Sequence, residues 1–310
     1  MPELPEVETI ARGLAKRVTG DVIESVWLGQ KKEPLKSPAA EIAAVLEHSR
    51  IAEVRRMGKH IVFDLDNVGN VQRGPSPANG RSPKRKVKQS KGTVSTLHAE
   101  AGGGARPTQT NNAQWMVHLG MTGRLQVCDP QTEIAKHTHA ILKLSSGREL
   151  RFVDPRRFGR LSVASSAGFD AGGVEPLEVD VDRFVELFRG RKTPIKSALL
   201  NQKLLRGVGN IYADESLFRA GIRPRRRAAS ITREQSGKLY LSIQEVLKEA
   251  IALGGSSVSD YVNAEGEEGF FQLQHRIYGR EGEPCLVCKA PVKRVVIAGR
   301  SSHYCPKCQK

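Results

Sequence analysis

The chain has 310 residues, with 49 Lys plus Arg against 33 Asp plus Glu, a formal net charge of +16 and a pI near 9.9. That length suits about two domains, or one large domain with appendages, and can bury a sizeable core. No apolar run reaches the roughly 20 residues that cross a bilayer, and the start lacks a basic, then apolar, signal-like segment; a soluble, intracellular protein with a polyanionic partner is expected.

In chain order, Val7, Ile10, Leu14 and Val18 recur at helical spacing behind Pro5, with Glu6 and Glu8 in the first turn, which predicts an amphipathic helix. From Val22 to Val163 the pattern changes to short runs rich in Val, Ile, Leu and Phe: 22–28, 51–56, 60–65, 115–119, 139–144 and 149–153. Turn residues such as Ser145-Ser146-Gly147 punctuate them, so an antiparallel sandwich or barrel is expected. Residues 71–113 are rich in Pro, Gly, Ser, Lys and Gln without periodicity, which predicts a disordered basic insertion between two strands. The insertion contributes +7 of the charge, so the rest of the chain is still basic at +9.

After Gly172-Gly173 the period is helical again. Phe184, Leu187 and Phe188 form one face, Ile195, Leu199 and Leu200 another, and Leu239 to Ile251 a long amphipathic helix that stops at Gly254-Gly255. The expected fold class is a multidomain α+β chain: a β-sandwich with an N-terminal helix over 1–173, a helical unit over 174–269 and a C-terminal unit over 270–310. No internal repeat is present.

Four of the five cysteines form two Cys-x-x-Cys pairs, Cys285/Cys288 and Cys305/Cys308, separated by sixteen residues. In a chain without a secretory signal such pairs supply four thiolates to one tetrahedral zinc rather than disulfides. Between them, 292–298 and 301–304 flank Gly299-Arg300, which predicts a β-hairpin with Arg300 near its tip, placed for a phosphate contact. The fifth, Cys128, reads as an inert, partly buried thiol.

The other chemical signal is at the N-terminus. If Met1 is removed, Pro2 presents a secondary amine, and an α-amino group is far less protonated near pH 7 than a lysine. Such an amine attacks a sugar C1′ to give a cationic iminium, an electron sink that permits elimination of a phosphate. Glu3 and Glu6 lie beside it for proton transfer.

Met1-Pro-Glu-Leu-Pro-Glu-Val-Glu8 resembles the opening of the bacterial formamidopyrimidine-DNA glycosylases, which are also apurinic/apyrimidinic-site lyases. Arg56-Met-Gly-Lys59-His, His118-Leu-Gly-Met121-Thr-Gly, Asp154-Pro-Arg-Arg-Phe-Gly159, Ile195-Lys-Ser-Ala-Leu-Leu, Gly207-Val-Gly-Asn210-Ile-Tyr-Ala-Asp-Glu215 and Tyr278-Gly-Arg are similar to that family in the same order. The resemblance covers nearly the whole chain outside the insertion. It implies a bacterial, cytoplasmic base-excision repair enzyme that excises 8-oxoguanine and formamidopyrimidines from duplex DNA, as a monomer, and cleaves the strand by β,δ-elimination.

Carried over residue by residue, the resemblance makes Pro2 the Schiff-base nucleophile, Glu3 the proton-handling group at the deoxyribose, Glu6 a supporting residue and Lys59 a cation near the lesion and its phosphate. It assigns DNA contact to His118, and phosphate binding to Asn210 at the start of a helix belonging to a helix-two-turn-helix element. Met121, Arg156 and Phe158 would fill the gap left by an extruded base, with Arg156 facing the orphaned cytosine. Residues 254–274 would form a loop that closes over the flipped base. The insertion and Asn201, where the family pattern has an acidic residue, are departures. Two alternatives remain: an endonuclease VIII-type enzyme for oxidised pyrimidines, against which Leu4 and the 154–159 motif count, and a non-catalytic zinc protein that binds nucleic acid.

Overall fold

The computed structural model describes residues 1–67, 113–164, 168–257 and 269–310. Residues 71–112 of the basic insertion and 258–268 of the 254–274 loop lie outside the described residues, and Ala113, the last residue assigned to the insertion, opens a strand instead.

Helix α1 (Leu4–Val18) forms as its spacing demands. Val7, Ile10, Leu14 and Val18 are at most 3 % exposed, and Lys16 and Arg17 lie at the negative end of the helix dipole. Fully burying such a side chain contributes about 1.5–3 kcal/mol, so this face alone fixes the helix on the sheets. Strands β1 (Ile23–Leu28), β6 (Thr138–Leu144), β7 (Glu149–Val153) and β5 (Arg124–Cys128) make one antiparallel sheet in the order β1-β6-β7-β5. The second sheet runs β2-β3-β4-β8, from β2 (Ser49–Met57), β3 (His60–Asn67), β4 (Ala113–His118) and β8 (Arg160–Ala164). One core that includes Phe63, Trp115, Leu142 and Phe152 fills the space between them and α1, which makes a β-sandwich. The register His60↔His118 and His118↔Arg160 puts these residues in one row across β3, β4 and β8.

A short helix α2 (Ala39–Leu46) covers part of the sandwich through Ile42 and Leu46. The second half is helical: α3 (Val181–Phe188), α4 (Ile195–Leu199), α5 (Asn210–Arg219) and α6 (Arg233–Ala252). Helix α6 starts on a reciprocal cap, with the Thr232 hydroxyl accepting from Gln235 N and the Gln235 side chain accepting from Thr232 N, both at 3.2 Å. Its apolar face joins Phe184, Leu199, Tyr212 and Leu217 in a second core. Leu4, although at the start of α1, belongs to this second core. A third, small core surrounds the cysteines and includes Phe218, Ile277 and Val292. There the chain ends in a hairpin of β9 (Lys293–Ile297) and β10 (Arg300–Tyr304). Ala298 and Gly299, with φ of 47° and 75°, form its two-residue turn, so Arg300 is the first residue of β10 rather than part of the turn.

Candidate active site and nucleic-acid interface

Glu3, Lys59, His118, Met121, Asn210 and Arg300 line a single cleft of about 500 Å³ between the sandwich, the helical half and the hairpin. Met1 lines it too. Five separate pieces of backbone therefore deliver the side chains: the start of α1, the β2–β3 turn, the β4 end, the α5 start and β10.

Glu3 is 4 % exposed. Its Oε1 accepts from Ile211 N at 3.3 Å in the first turn of α5, and its Oε2 is buried without a hydrogen-bond partner among the described residues. Burial pushes its carboxyl up to about 7, against the opposing pull of the Lys59 charge and with reinforcement from Glu6. Gly209, the residue before α5, makes this proximity possible: a Cβ there would lie 2.1 Å from Glu3 Cδ.

Glu6 is 2 % exposed and ties three segments together. It accepts from Glu3 N at 2.7 Å, from Ser256 N at 2.8 Å and from the Tyr212 hydroxyl. Burial raises its pKa, and those donors oppose the rise. The geometry of this carboxylate is that of a clamp joining α1, α5 and the 254–257 segment. Lys59 is 8 % exposed in the turn just before β3; burial lowers its pKa, with Glu3 and Glu6 pulling it back up and Arg300 adding to the fall.

His118 accepts from Gly120 N at its Nδ1, 3.1 Å away, which leaves Nε2 to carry the proton. Burial, with the nearby His60, Arg160 and Lys59, pulls its pKa down to about 3, so the ring is neutral at physiological pH. Asn210 begins α5, where unsatisfied N–H groups and the helix dipole favour a phosphate. Its Nδ2 donates to Ser301 Oγ at 3.4 Å, which joins the helix start to the hairpin.

Met121 and Phe158 are 42 % and 52 % exposed, so neither is a core residue. The Arg156 guanidinium sits 4.8 Å from the Phe158 ring centroid. The loops that carry them are packed backbone to backbone: Gly120 has φ +66°, and a Cβ there would fall 2.5 Å from Gly159 N. The fully buried Asp154 pins both, accepting from Thr122 Oγ1 at 2.7 Å and Gly159 N at 2.7 Å.

Cys285, Cys288, Cys305 and Cys308 bring four Sγ atoms within 4.8 Å of one another. A Zn–S bond of about 2.3 Å puts tetrahedral sulfurs about 3.8 Å apart, and the Cys288–Cys305 and Cys285–Cys308 pairs are 3.4 and 3.9 Å apart. The donor set is therefore positioned to bind one zinc ion, which would fix the hairpin without open coordination for chemistry. Cys128, half-buried, has its Sγ 3.9 Å from Glu149 O.

Several residues in the motifs acquire a place that spacing does not reveal. Lys196 and Asp214 form a fully buried ion pair at 2.6 Å. Lys196 Nζ also donates to Ser301 O at 2.7 Å, and Asp214 accepts from His303 N at 2.9 Å, so the pair grips β10 on either side of Ser302. Glu215 accepts from Arg276 N, Ile277 N and Tyr278 N at 2.8–3.1 Å and so holds the chain entering the cysteine unit. In α5 Tyr212, Asp214, Glu215 and Ser216 are all buried.

Residues 1–161 match the "Formamidopyrimidine-DNA glycosylase N-terminal domain", residues 173–262 the "Formamidopyrimidine-DNA glycosylase H2TH domain" and residues 282–310 the "Zinc finger found in FPG and IleRS". The chain belongs to the formamidopyrimidine-DNA glycosylase family. A formamidopyrimidine-DNA glycosylase of Solibacter usitatus is 41 % identical over 312 residues, covering all of both chains. Among solved structures, a Lactococcus lactis Fpg mutant in complex with Fapy-dG-containing DNA superimposes with a TM-score of 0.80 at 28 % identity, and covers all of both chains. A MutM protein in complex with carbocyclic 8-oxo-G-containing DNA gives a TM-score of 0.79 at 29 % identity, again over all of both chains. The β-sandwich, helical H2TH unit and zinc hairpin of this glycosylase family are those described above. Among the described residues no helix is long and apolar enough to cross a membrane.

Proposed function

We propose that the protein is a bifunctional base-excision repair enzyme that removes 8-oxoguanine and formamidopyrimidines from duplex DNA and then cleaves the strand at the resulting abasic site. The observation that carries this reading is the buried Glu3 carboxyl, raised to about 7 and placed between the chain start, Lys59 and the N-terminus of α5.

In a chain processed to begin at Pro2, the secondary amine attacks C1′ of the extruded nucleotide, the glycosidic bond breaks and the base leaves with the proton that the amine sheds; breaking of the C1′–O4′ bond then gives the iminium. Glu3, protonated in good part at neutral pH, delivers a proton to the deoxyribose ring as it opens. Lys59 neutralises charge on the lesion side. Loss of a proton from C2′ then expels the 3′ phosphate, and a second elimination expels the 5′ phosphate. Glu6 keeps α1, α5 and the 254–257 segment in register during these steps. Met1 lines the same cleft, so its removal both frees the amine and clears space for the sugar.

DNA is held by Asn210 and the α5 N-terminus, by His118 as a neutral donor and by Arg300, with Met121, Phe158 and Arg156 filling the vacated stack and Arg156 facing the orphaned cytosine. Zinc, when bound by the four cysteines, stiffens the hairpin that presents Arg300. The working units in this reading are 1–173, 174–269 and 270–310, in a cytoplasmic monomer.

The deciding experiment is borohydride trapping on an 8-oxoguanine duplex. The chain beginning at Pro2 should form a covalent complex, and Pro2→Gly or a chain that retains Met1 should weaken or abolish it. Undiminished trapping with a blocked N-terminus would overturn the mechanism, and a substrate panel that favours oxidised pyrimidines would overturn the lesion class.

A further inference from the structure

The cation closest in sequence to Lys59 has no part in the chemistry proposed above. Arg56 is the second-last residue of β2, and its side chain is only 7 % exposed. Its Nη1 and Nη2 donate to both oxygens of Glu175, at 3.0 and 2.7 Å, and its Nε donates to Glu8 Oε2 at 2.7 Å. Nη1 reaches one further acceptor, Gly58 O at 3.3 Å, the carbonyl of the peptide that leads into Lys59. Glu175, 5 % exposed, takes a second arginine: Arg206 Nε donates to its Oε2 at 3.2 Å.

These residues come from different parts of the chain. Glu8 lies on α1, Arg56 and Gly58 on the sandwich, Glu175 just after the Gly172-Gly173 joint, and Arg206 in the loop before α5. Arg206 packs its aliphatic stem on the same turn, for a Cβ at Gly58, where φ is +60°, would be 3.2 Å from Arg206 Cβ. Its backbone N donates to Val174 O at 3.0 Å, and the next residue, Gly207, accepts from Leu4 N at 3.0 Å. One carboxylate therefore stands between the turn that carries Lys59 and the loop that holds the start of α1.

We propose that Glu175, gripped by Arg56 and Arg206, is a positioning residue: a latch across the seam that holds the Gly58–Lys59 turn at its distance from the start of α1. This rests on the excision reading for its catalytic consequence, but not for its structural one. A bidentate Arg56 fork and a further Nε hydrogen bond from Arg206 on one desolvated carboxylate resist displacement in both directions, which a single exposed pair does not. A shift of about 1 Å at a reacting group costs up to about 100-fold in rate even when the altered residue is remote.

The test uses the full chain beginning at Pro2, with Glu175→Gln and, because that change sits at a buried site, Arg206→Met as a second variant that keeps the stem on Gly58. Lys59 acylation by an amine-reactive ester, read by mass spectrometry, reports the turn directly. The fully buried Lys196 is the internal reference. Lys59 labelling is expected to rise several-fold in both variants while Lys196 stays protected, and the single-turnover excision rate should fall about 10–100-fold with the affinity for an abasic-analogue duplex nearly unchanged. Adding Arg206→Met to Glu175→Gln should cost little more than Glu175→Gln alone, since both remove one unit. Unchanged Lys59 labelling, or a lowered melting temperature with wild-type excision rate in the folded fraction, overturns the latch. If the parent chain itself fails to trap, the excision reading falls while the labelling still decides the latch.

Discussion

Lys196 Nζ lies 2.6 Å from Asp214 Oδ1, and neither side chain reaches solvent. Because the pair also holds both sides of Ser302 in β10, the hairpin that presents Arg300 is attached to the helical unit by charge as well as by the cysteines. Removing one partner leaves the other charge buried alone, which costs about 3–5 kcal/mol. Lys196→Met should therefore lower the urea midpoint strongly, and Lys196→Met with Asp214→Asn should recover part of the loss, since an asparagine oxygen still accepts from His303 N. Equal midpoints for the single and double variants would refute this account.

Glu3 gives a pH dependence of defined sign. Its native pKa of about 7 lies above the ordinary 4.5, so between those values the folded state holds a proton that the unfolded chain does not. Its contribution to stability is full below about 4.5 and is lost as pH rises through 7. The loss amounts to roughly 3 kcal/mol by pH 8. Glu3→Gln should flatten this slope in denaturant melts, and should also remove a rate limb near pH 7 in which excision slows as pH rises.

Gly209→Ala tests the close approach between α5 and α1. The added methyl meets the Glu3 carboxylate at 2.1 Å, and the carboxylate must move because the α5 backbone is fixed. Overpacking of this kind costs about 1–3 kcal/mol, a loss the fold should survive. Excision should fall by about 100-fold, and the Glu3 rate limb should shift with it.

Met121→Ala and Phe158→Ala should separate stability from activity. Both side chains are largely exposed, so thermal midpoints should change by less than about 0.5 kcal/mol equivalent. If they fill the vacated stack as proposed, single-turnover excision should slow by roughly ten-fold or more, in line with a few kcal/mol for an unfilled stack. A large stability loss would return both residues to a core function.

Zinc removal by a chelator should act on DNA affinity before it acts on the sandwich. The third core is small and depends on Cys285 and Cys305, whereas α1 and Glu3 are held by the other two. Binding to undamaged duplex should weaken, and the slope of log affinity against log salt should fall by about one unit for Arg300→Ala, with near-native circular dichroism of the β-sandwich.

Much of the architecture follows from periodicity, and the exceptions have physical causes. Helix α1 and the central strand β6 bury nearly continuous apolar faces, and β7 alternates Leu150 and Phe152 with charged residues, so they read clearly. Strand β5 escapes because Arg124-Leu-Gln-Val-Cys is short and lies at a sheet edge, and α2 because only Ile42 and Leu46 of its eight residues are buried. At the site, Glu3, Lys59 and the cysteines were legible as motifs. Lys196, Asp214 and Glu175 were not, because a charge within a short helix or loop reads as a solvated residue until the chain that covers it is known. Their partners lie 18 to 119 residues away.

Leu4 has a consequence for how the molecule is made. Its side chain is wholly buried in the helical core, while Val7, three residues later, belongs to the sandwich. Leu4 thus has no core to enter until the helices up to α6 have been synthesised. A fragment cut after residue 173 would leave Leu4 in water, so the start of α1, with Glu3 beside it, takes its place only when the helical half is present.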